Sequence, residues 1–250
     1  DGYFRGEPIN SDWEWGDLST DYAPAINGLM LNQNSNPLIV SQQQVGMPLK
    51  YTWKDPSLNN WQVDNQSLTV PASQDSNLNA IAIFGKSTIR LTGKLALNSA
   101  PTQIDLPLVT PAESFIGAFR QSLNRAGITV GSTRLVFGQN ITNMPEIAAI
   151  NSPTIGELIN ETNQQSNNVY AEVLLRSFGR THPENYTSNQ DTSNLGIALV
   201  KQRLTEMGVD PQAYRLSDGS GLSRHNLVAP TTFIRVLSAM ATTPVGQIYR

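Results

Sequence analysis

The stretch Ser166-Asn-Asn-Val-Tyr-Ala-Glu-Val-Leu-Leu-Arg-Ser-Phe-Gly179 joins a polar start to an amphipathic run. Its apolar residues recur at helical spacing and predict a helix that buries Val169, Tyr170, Val173, Leu174 and Phe178. Asn167 or Asn168 can cap such a helix. Alternatively, Ser166 and Asn168 offer a hydroxyl and a carboxamide two positions apart, as one element of an acyl-transfer site does. The pair alone fits both interpretations.

The sequence around this stretch, from about residue 148 to residue 250, has a helical pattern without an evident strand. Ser152-Pro153 predicts one helix start, and Pro230 predicts another. A further helix is predicted from about Leu195 to Met207, and Gly208 ends it. The inward residues of these three helices are expected to be Ile155, Leu158, Ile159, Ile197, Val200, Leu204, Phe233, Val236, Leu237 and Met240. Residues 180–194 are predicted to form a loop.

Residues 25–98 have the short runs between turn residues that are typical of β-strands. The runs 26–31 and 38–40 flank an Asn-rich turn and predict a hairpin. Further strands are predicted at residues 49–53, 67–70, 80–84, 87–91 and 94–97. This pattern favours an antiparallel sheet.

Thr110-Pro-Ala-Glu113 predicts a helix that begins with a capping box and ends at Gly127. Residues 128–130 and 134–137 then predict returning strands. We therefore predict an α+β protein with two domains. The first, residues 1–147, is β-rich with one packed helix, and the second, residues 148–250, is helical.

Composition restricts the classes of function. The chain of 250 residues has a net charge of −3 and 17 Lys plus Arg without a basic cluster, which argues against nucleic-acid binding. It has no cysteine, so disulfides, thiolate metal sites and a cysteine nucleophile are excluded. No apolar run approaches the roughly 20 residues that span a bilayer. Because the first residue is Asp1 rather than Met, we expect a processed or excised chain.

Few other residues offer catalytic chemistry. His182 and His225 lie in predicted loops without metal-ligand spacing, so we expect no metal and no cofactor. A Ser-His-Asp triad can be drawn from His225 and Asp218, but no G-x-S-x-G elbow accompanies them. Trp13 and Trp15 stand beside acidic residues, and they either line a polar groove or pin a loop.

A second informative stretch is Asp218-Gly-Ser-Gly-Leu-Ser-Arg-His-Asn-Leu-Val-Ala-Pro230. By composition its first half is either a flexible loop that approaches a ligand or a tight connector. Together with residues 166–179, it resembles the D-alanyl-D-alanine carboxypeptidase/endopeptidase family, the low-molecular-mass class C penicillin-binding proteins. The resemblance extends to residues 13–22, 107–127 and 151–158, in the family's order, and covers most of the chain.

This resemblance implies a serine-type D-Ala-D-Ala carboxypeptidase, a periplasmic or otherwise extracytoplasmic hydrolase that cleaves peptidoglycan stem peptides through an acyl-enzyme. Beta-lactams acylate such enzymes. Ser166 would match the proton-relaying serine of the second catalytic motif, and Asn168 the carboxamide that holds the substrate amide. The implied substrate-binding residues are Leu222, Arg224, Trp13, Asp17 and Tyr22. The implied fold is a β-rich accessory domain followed by the helical part of a β-lactamase/transpeptidase-like domain.

The nucleophile of that family lies in an S-x-x-K motif, which this sequence lacks. None of the five lysines has a serine three positions before it, and no K-T-G occurs. We therefore expect an internal fragment that is inactive by itself and whose uncovered helix face favours self-association. The alternative is a non-catalytic secreted module that binds cell-wall peptide or another protein on the same scaffold.

Overall fold

The computed structural model describes residues 1–58, 61–83, 85–137, 145–181, 190–244 and 246. Contacts divide the chain into two compact units, which are residues 16–135 and residues 1–15 together with 136–250. The boundary expected after residue 147 stays a prediction. The division by contacts differs from it in assigning the first 15 residues to the helical unit and in placing the later boundary after residue 135.

The unit of residues 16–135 has, in its described part, seven strands in two sheets. The first sheet is antiparallel and contains β1 (Leu38–Ser41), β2 (Lys50–Trp53) and β7 (Thr102–Ile104), in the order β2-β1-β7. The second contains β3 (Gln62–Asn65), β4 (Leu68–Val70) and β5 (Asn77–Ala82), which all pair with β6 (Thr88–Ala96). Their shared core consists of Leu38, Val40, Leu49, Ile89, Leu91, Leu95 and Leu106.

The long strand β6 replaces two shorter predicted strands. Gly93 lies within it at φ +98°, where a Cβ would be 2.1 Å from the carbonyl oxygen of Asn77. Gly93, which lies between the two predicted strands, therefore allows one strand to continue beside β5. Because β3 and β4 pair with β6 in parallel, the prediction of an antiparallel sheet is wrong for this part of the fold. Strands β3 and β7 were not predicted.

The predicted hairpin of residues 26–31 and 38–40 is also wrong. Residues 26–31 are not a strand, and β1 pairs instead with β2 and β7. Asn32, Gln33 and Asn34 all have positive φ angles, which turn the chain away from an extended path. The buried Asn34 side chain holds this turn, since its Nδ2 donates to the carbonyl oxygen of Ala25 at 2.7 Å.

Helix α1 (Pro111–Arg125) begins at the predicted proline and is followed by Gly127 at φ +80°. The predicted capping box is absent, since the Thr110 side chain makes no capping hydrogen bond. The returning strands expected at residues 128–130 and 134–137 do not form. A strand needs a partner for its ladder of hydrogen bonds, and none of the described strands pairs with these residues.

The second unit contains the helices α2 (Ile155–Gln164), α3 (Asn168–Arg180), α4 (Thr192–Glu206) and α5 (Pro230–Ala241). Helix α2 starts two residues later than expected because Thr154 and Glu157 form a reciprocal capping box. Helix α4 starts three residues earlier, because the Asp191 side chain accepts from the backbone N–H groups of Ser193 and Asn194. A short hairpin of β8 (Tyr214–Arg215) and β9 (Leu227–Val228) was not predicted. No described helix has the length and apolar character needed to cross a membrane.

The apolar faces of these helices are only partly covered. On α3, Val169 is buried as expected, but Val173, Leu174 and Phe178 are half-buried and Leu175 is buried instead. On α5, Phe233 and Leu237 were expected to face inward, yet they are 59% and 52% exposed. Self-association of the chain stays a prediction.

Helices α3 and α4 approach each other closely at two glycines. A Cβ at Gly179 would be 2.2 Å from the carbonyl oxygen of Thr192, and one at Gly196 would be 2.3 Å from that of Leu175. Such distances are far inside van der Waals contact, so neither position has room for a side chain. The two glycines therefore fix how near α3 can lie to α4.

We predict that Gly196→Ala lowers the free energy of unfolding by about 1–3 kcal/mol, because the added methyl group forces the helices apart. Gly156→Ala in α2 is the matched control, since a Cβ there has no neighbour within 4 Å. Chemical denaturation of both variants measures the difference. Equal stabilities for the two variants would contradict the close packing of α3 on α4.

Candidate active site

The start of α3 separates the two interpretations of the Ser-Asn-Asn stretch. The Asn167 side chain caps the helix, because its Oδ1 accepts from the backbone N–H of Tyr170 at 3.0 Å. Asn168 is the first helical residue, so the capping role belongs to its neighbour. Ser166 is exposed and has φ +55°, a conformation that few residues other than glycine adopt. Ser166 directly follows the end of α2, where the backbone N–H of Asn167 donates to the carbonyl oxygen of Thr162 at 2.9 Å, so its positive φ is that of a helix C-terminal cap.

The glycine-rich loop of residues 216–226 is organised around the buried carboxylate of Asp218. Its Oδ1 accepts from the backbone N–H of Gly221 at 2.8 Å and from Nδ2 of Asn226 at 2.7 Å. Its Oδ2 accepts from the backbone N–H of Ser223 at 2.7 Å and from the indole Nε1 of Trp13 at 3.0 Å. Four donors on one carboxylate hold the backbone of this loop in the conformation observed.

The triad drawn from Asp218 and His225 is not assembled. The Nδ1 of His225 lies 3.3 Å from Oδ1 of Asp12, while Asp218 binds the donors of its own loop and of Trp13. His182 lies outside the described residues. The described geometry therefore gives no support to a Ser-His-Asp mechanism.

The loop is fastened to α3 by Glu172, which is buried to 1% exposure. Its Oε1 accepts from the backbone N–H groups of Gly219 and Ser220 at 2.8 and 3.0 Å, and from the Ser220 hydroxyl at 2.9 Å. Its Oε2 is buried and has no hydrogen-bond partner among the described residues. Burial raises the pKa of Glu172, and the negative charge of Asp218 raises it further, against the opposing effect of the three hydrogen bonds.

One turn later on α3, Arg176 fastens the N-terminal segment of the chain. Its Nη2 donates to the carbonyl oxygen of Glu7 at 2.9 Å, and burial lowers the pKa of its guanidinium group although Glu172 and Asp191 raise it. The same segment contacts the loop directly, because Nδ2 of Asn10 donates to the carbonyl oxygen of Ser217 at 2.8 Å. The N-terminal segment, α3 and the loop thus form one hydrogen-bonded assembly.

The predicted substrate-binding residues have different surroundings. Leu222 is half-buried in the loop, and Nε of the exposed Arg224 lies 2.7 Å from Oε1 of Glu14. Trp13 is buried behind the loop, as the interpretation of a loop pinned by aromatic residues expects. Asp17 and Tyr22 belong to the other unit, where the Tyr22 hydroxyl donates to Oδ1 of Asp17 at 3.0 Å. Direct contact of these five residues with a substrate stays a prediction.

Two features of this region were not found from the sequence. One is an open cavity of about 380 Å³ between α3, α4 and the loop, whose lining is mostly apolar and includes Leu174, Phe178, Ile197, Val200 and Leu216. The other is the buried Glu172. It lies three residues after the buried Val169 and three before the buried Leu175. An acidic residue at the helical spacing of the apolar residues was the sequence signal that could have predicted its burial.

We predict that Trp13→Phe destabilises the protein by about 1–3 kcal/mol, because phenylalanine keeps a buried ring but removes the donor to a charged carboxylate. Trp15→Phe is the matched control, since Trp15 is 59% exposed and its replacement should change stability by less than about 0.5 kcal/mol. Denaturation curves for both variants give the comparison. If Trp13→Phe were as stable as Trp15→Phe, the indole would not support the loop.

Comparison with known proteins extends over the whole chain. Residues 1–250 match the D-Ala-D-Ala carboxypeptidase 3 (S13) family. The chain is 29% identical over 247 residues to the penicillin-sensitive carboxypeptidase A of Dictyostelium discoideum, with 94% of this chain and 45% of that protein covered. It is 29% identical over 190 residues to the D-alanyl-D-alanine carboxypeptidase of Actinomadura sp. (strain R39), with 75% of this chain and 34% of that protein covered.

Solved structures show the same fold. Penicillin binding protein 4 of Haemophilus influenzae superimposes with a TM-score of 0.74 at 20% identity, covering 99% of this chain and 53% of that one. The same protein in complex with a beta-lactam gives a TM-score of 0.70 at 21% identity, over 93% of this chain and 52% of that one. The predicted α+β fold is therefore confirmed, and the chain spans about half or less of the length of the proteins that it matches. On the match of residues 1–250, the chain belongs to the D-Ala-D-Ala carboxypeptidase 3 (S13) family.

Proposed function

We propose that this chain supplies part of the active site of a serine-type D-Ala-D-Ala carboxypeptidase or endopeptidase that acts on peptidoglycan stem peptides. The S-x-x-K nucleophile of such an enzyme is not among these 250 residues. The chain therefore acts in catalysis together with a nucleophile from outside them. By itself it does not form an acyl-enzyme.

One observation carries this proposal: α3 connects the two stretches on which the resemblance rests. Asn168 is the first residue of α3 and Ser166 lies just before its N-cap, while Glu172 binds the loop that contains Leu222 and Arg224. A helix cap alone would explain Asn167, but it would not explain why the same helix also binds the 216–226 loop through Glu172. The names of the relatives, two of which are carboxypeptidases, support the same class of reaction.

The proposed chemistry divides between these residues. The nucleophilic serine attacks the carbonyl carbon of the penultimate D-alanine, the terminal D-alanine leaves as an amine, and water then hydrolyses the ester. The Ser166 hydroxyl relays the proton to the leaving nitrogen, and the Asn168 carboxamide holds the amide of the substrate. Leu222 and Arg224 border the pocket for the stem-peptide side chain.

The partners and location follow from the substrate. Peptidoglycan stem peptides lie outside the cytoplasm, so we propose a periplasmic or extracytoplasmic site of action. Beta-lactams would acylate the same nucleophile, in keeping with the beta-lactam complex of the structural relative. These roles apply to the complete enzyme.

A second candidate function has one specific observation in its favour. The sequence contains neither S-x-x-K nor K-T-G, so its 250 residues are also those expected of a non-catalytic module that binds cell-wall peptide. The two candidates differ in whether a nucleophile is joined to this chain, and the following experiments separate them.

We predict that the 250-residue chain forms no covalent adduct with penicillin, because it has no activated serine nucleophile. Incubation with a fluorescent penicillin followed by a denaturing gel measures this. A protein that includes the S-x-x-K motif should give a labelled band under the same conditions. A labelled band from the 250-residue chain would contradict the proposed division of the active site.

In a protein that includes the nucleophile, we predict that Ser166→Ala slows acylation about 10²–10⁴-fold, the usual loss when assisted proton transfer is removed. Ser238→Ala on the exposed surface of α5 is the matched control and should leave the rate unchanged. Stopped-flow acylation by a chromogenic beta-lactam gives both rates. Equal rates for the two variants would reduce the Ser166 stretch to a helix start, and absence of acylation in the wild type would favour the binding module.

A further inference from the structure

We propose that Glu172 is a positioning residue that couples the Ser166–Asn168 segment to the 216–226 loop and thereby sets where the loop meets the stem peptide. The functional part of this inference rests on the proposed function, which gives the two segments their roles. The coupling itself is a property of this chain and can be tested in it.

The contact between Glu172 and the loop has a directional geometry. A single oxygen, Oε1 of Glu172, accepts from two consecutive backbone N–H groups, those of Gly219 and Ser220, and also from the Ser220 hydroxyl. Two consecutive amides directed at one oxygen fix the direction of the loop backbone as well as its distance from the helix. Glu172 is four residues after Asn168 on the same helix. The contact therefore fixes the position of the loop relative to the first turn of α3, which contains Asn168.

The loop also lies directly on α3 at this point. A Cβ on Gly219 would be 2.9 Å from the carbonyl oxygen of Ala171 and 3.0 Å from Cβ of Leu175. The backbone of the loop therefore reaches the helix without an intervening side chain. A small displacement of the loop would break both the packing and the hydrogen bonds to Glu172.

The chemical nature of residue 172 points to the same role. A carboxyl group that is 1% exposed costs free energy unless its oxygens are bonded, and Oε2 has no hydrogen-bond partner among the described residues. A leucine at this position would give apolar packing without the free-energy cost of burying a carboxyl group. The buried acid is explained by what Oε1 does, which is to hold three donors of one loop.

The contact should respond to pH. The charged groups that act on this carboxyl are Asp218 in the loop and Arg176 on α3, and Asp191 at the start of α4 acts on Arg176. Opening of the loop exposes Glu172, whose pKa then returns toward its ordinary value of 4.5, whereas burial raises the pKa in the closed state. The closed state thus binds the proton more tightly. The stabilisation of the closed state by this bound proton is complete below a pH of about 4.5, and it is lost as the pH rises through the raised pKa of Glu172.

The test measures hydrogen exchange of the Gly219 and Ser220 amides in the 250-residue chain. We expect Glu172→Ala to lower their protection factors about 10-fold or more, because both amides lose their acceptor. Glu172→Gln should restore protection to within about 3-fold of the wild type, since its Oε1 is still an acceptor. Glu206→Ala, at an exposed carboxylate of α4, is the matched control and should change nothing.

The pH profile is the second measurement. Protection of the two amides in the wild type should fall as the pH rises above about 4.5, and it should be constant in Glu172→Gln. Unchanged protection in Glu172→Ala would overturn the proposal. A Glu172→Gln variant that behaves like Glu172→Ala, or keeps the pH dependence of the wild type, would overturn it as well.

A third measurement tests the functional part in a protein that includes the nucleophile. Glu172→Ala should raise KM for a peptide ending in D-Ala-D-Ala about 10-fold, with a smaller change in acylation by penicillin, which lacks the stem-peptide side chain. Equal losses for both substrates would overturn the assignment of Glu172 to the loop. A wild type that acylates neither substrate would refute the proposed function alone, and the exchange measurements would still decide the coupling.

Discussion

The hydrogen bonds from Gly219 and Ser220 to the buried carboxyl of Glu172 are the interaction on which the candidate active site depends. They connect residues that are 47 and 48 positions apart in the sequence. Without them the loop would be held to this helix by the packing of Gly219 and, through Arg176, by the N-terminal segment. Hydrogen bonds are directional, whereas apolar contact is not, so a polar anchor suits a segment that has almost no apolar side chains of its own.

The same helix uses a second buried charge for the same purpose. Arg176 holds the N-terminal segment through the carbonyl oxygen of Glu7, and that segment places Trp13 against Asp218. Irregular backbone must find partners for its N–H and C=O groups wherever it is buried. Glu172, Arg176 and Asp218 supply such partners, and the cost of burying Glu172 and Asp218 is reduced because they accept from three and four donors.

The sequence correctly predicted features that depend on interactions between neighbouring residues, such as the starts and ends of some helices. Prolines marked the starts of α1 and α5, and glycine marked the ends of α1 and α4. The stretches at 166–168 and 218–225 were recognised as motifs, but the residue that joins them was not, because its partners are distant in the sequence. Residues 128–137 have strand-forming composition and no partner strand among the described residues, so their propensity has no effect. The turn with positive φ angles at Asn32, Gln33 and Asn34 is held by hydrogen bonds of the Asn34 side chain. The spacing of residue types along the sequence does not predict such bonds.

The central strand β6 has a consequence for how the sheet unit is assembled. Its antiparallel partner β5 is the preceding strand, and Ala82 pairs with Ile89 across a short connection. Its parallel partners β3 and β4 lie much further back, with Gln62 beside Thr88 and Leu68 beside Lys94. Closing a long loop costs more chain entropy than closing a short one, so the local hairpin is the natural first template and the parallel strands must wait for it. The left-handed Gly93 lies within that template opposite Leu78, which makes the assembly of the sheet depend on a position where only glycine fits.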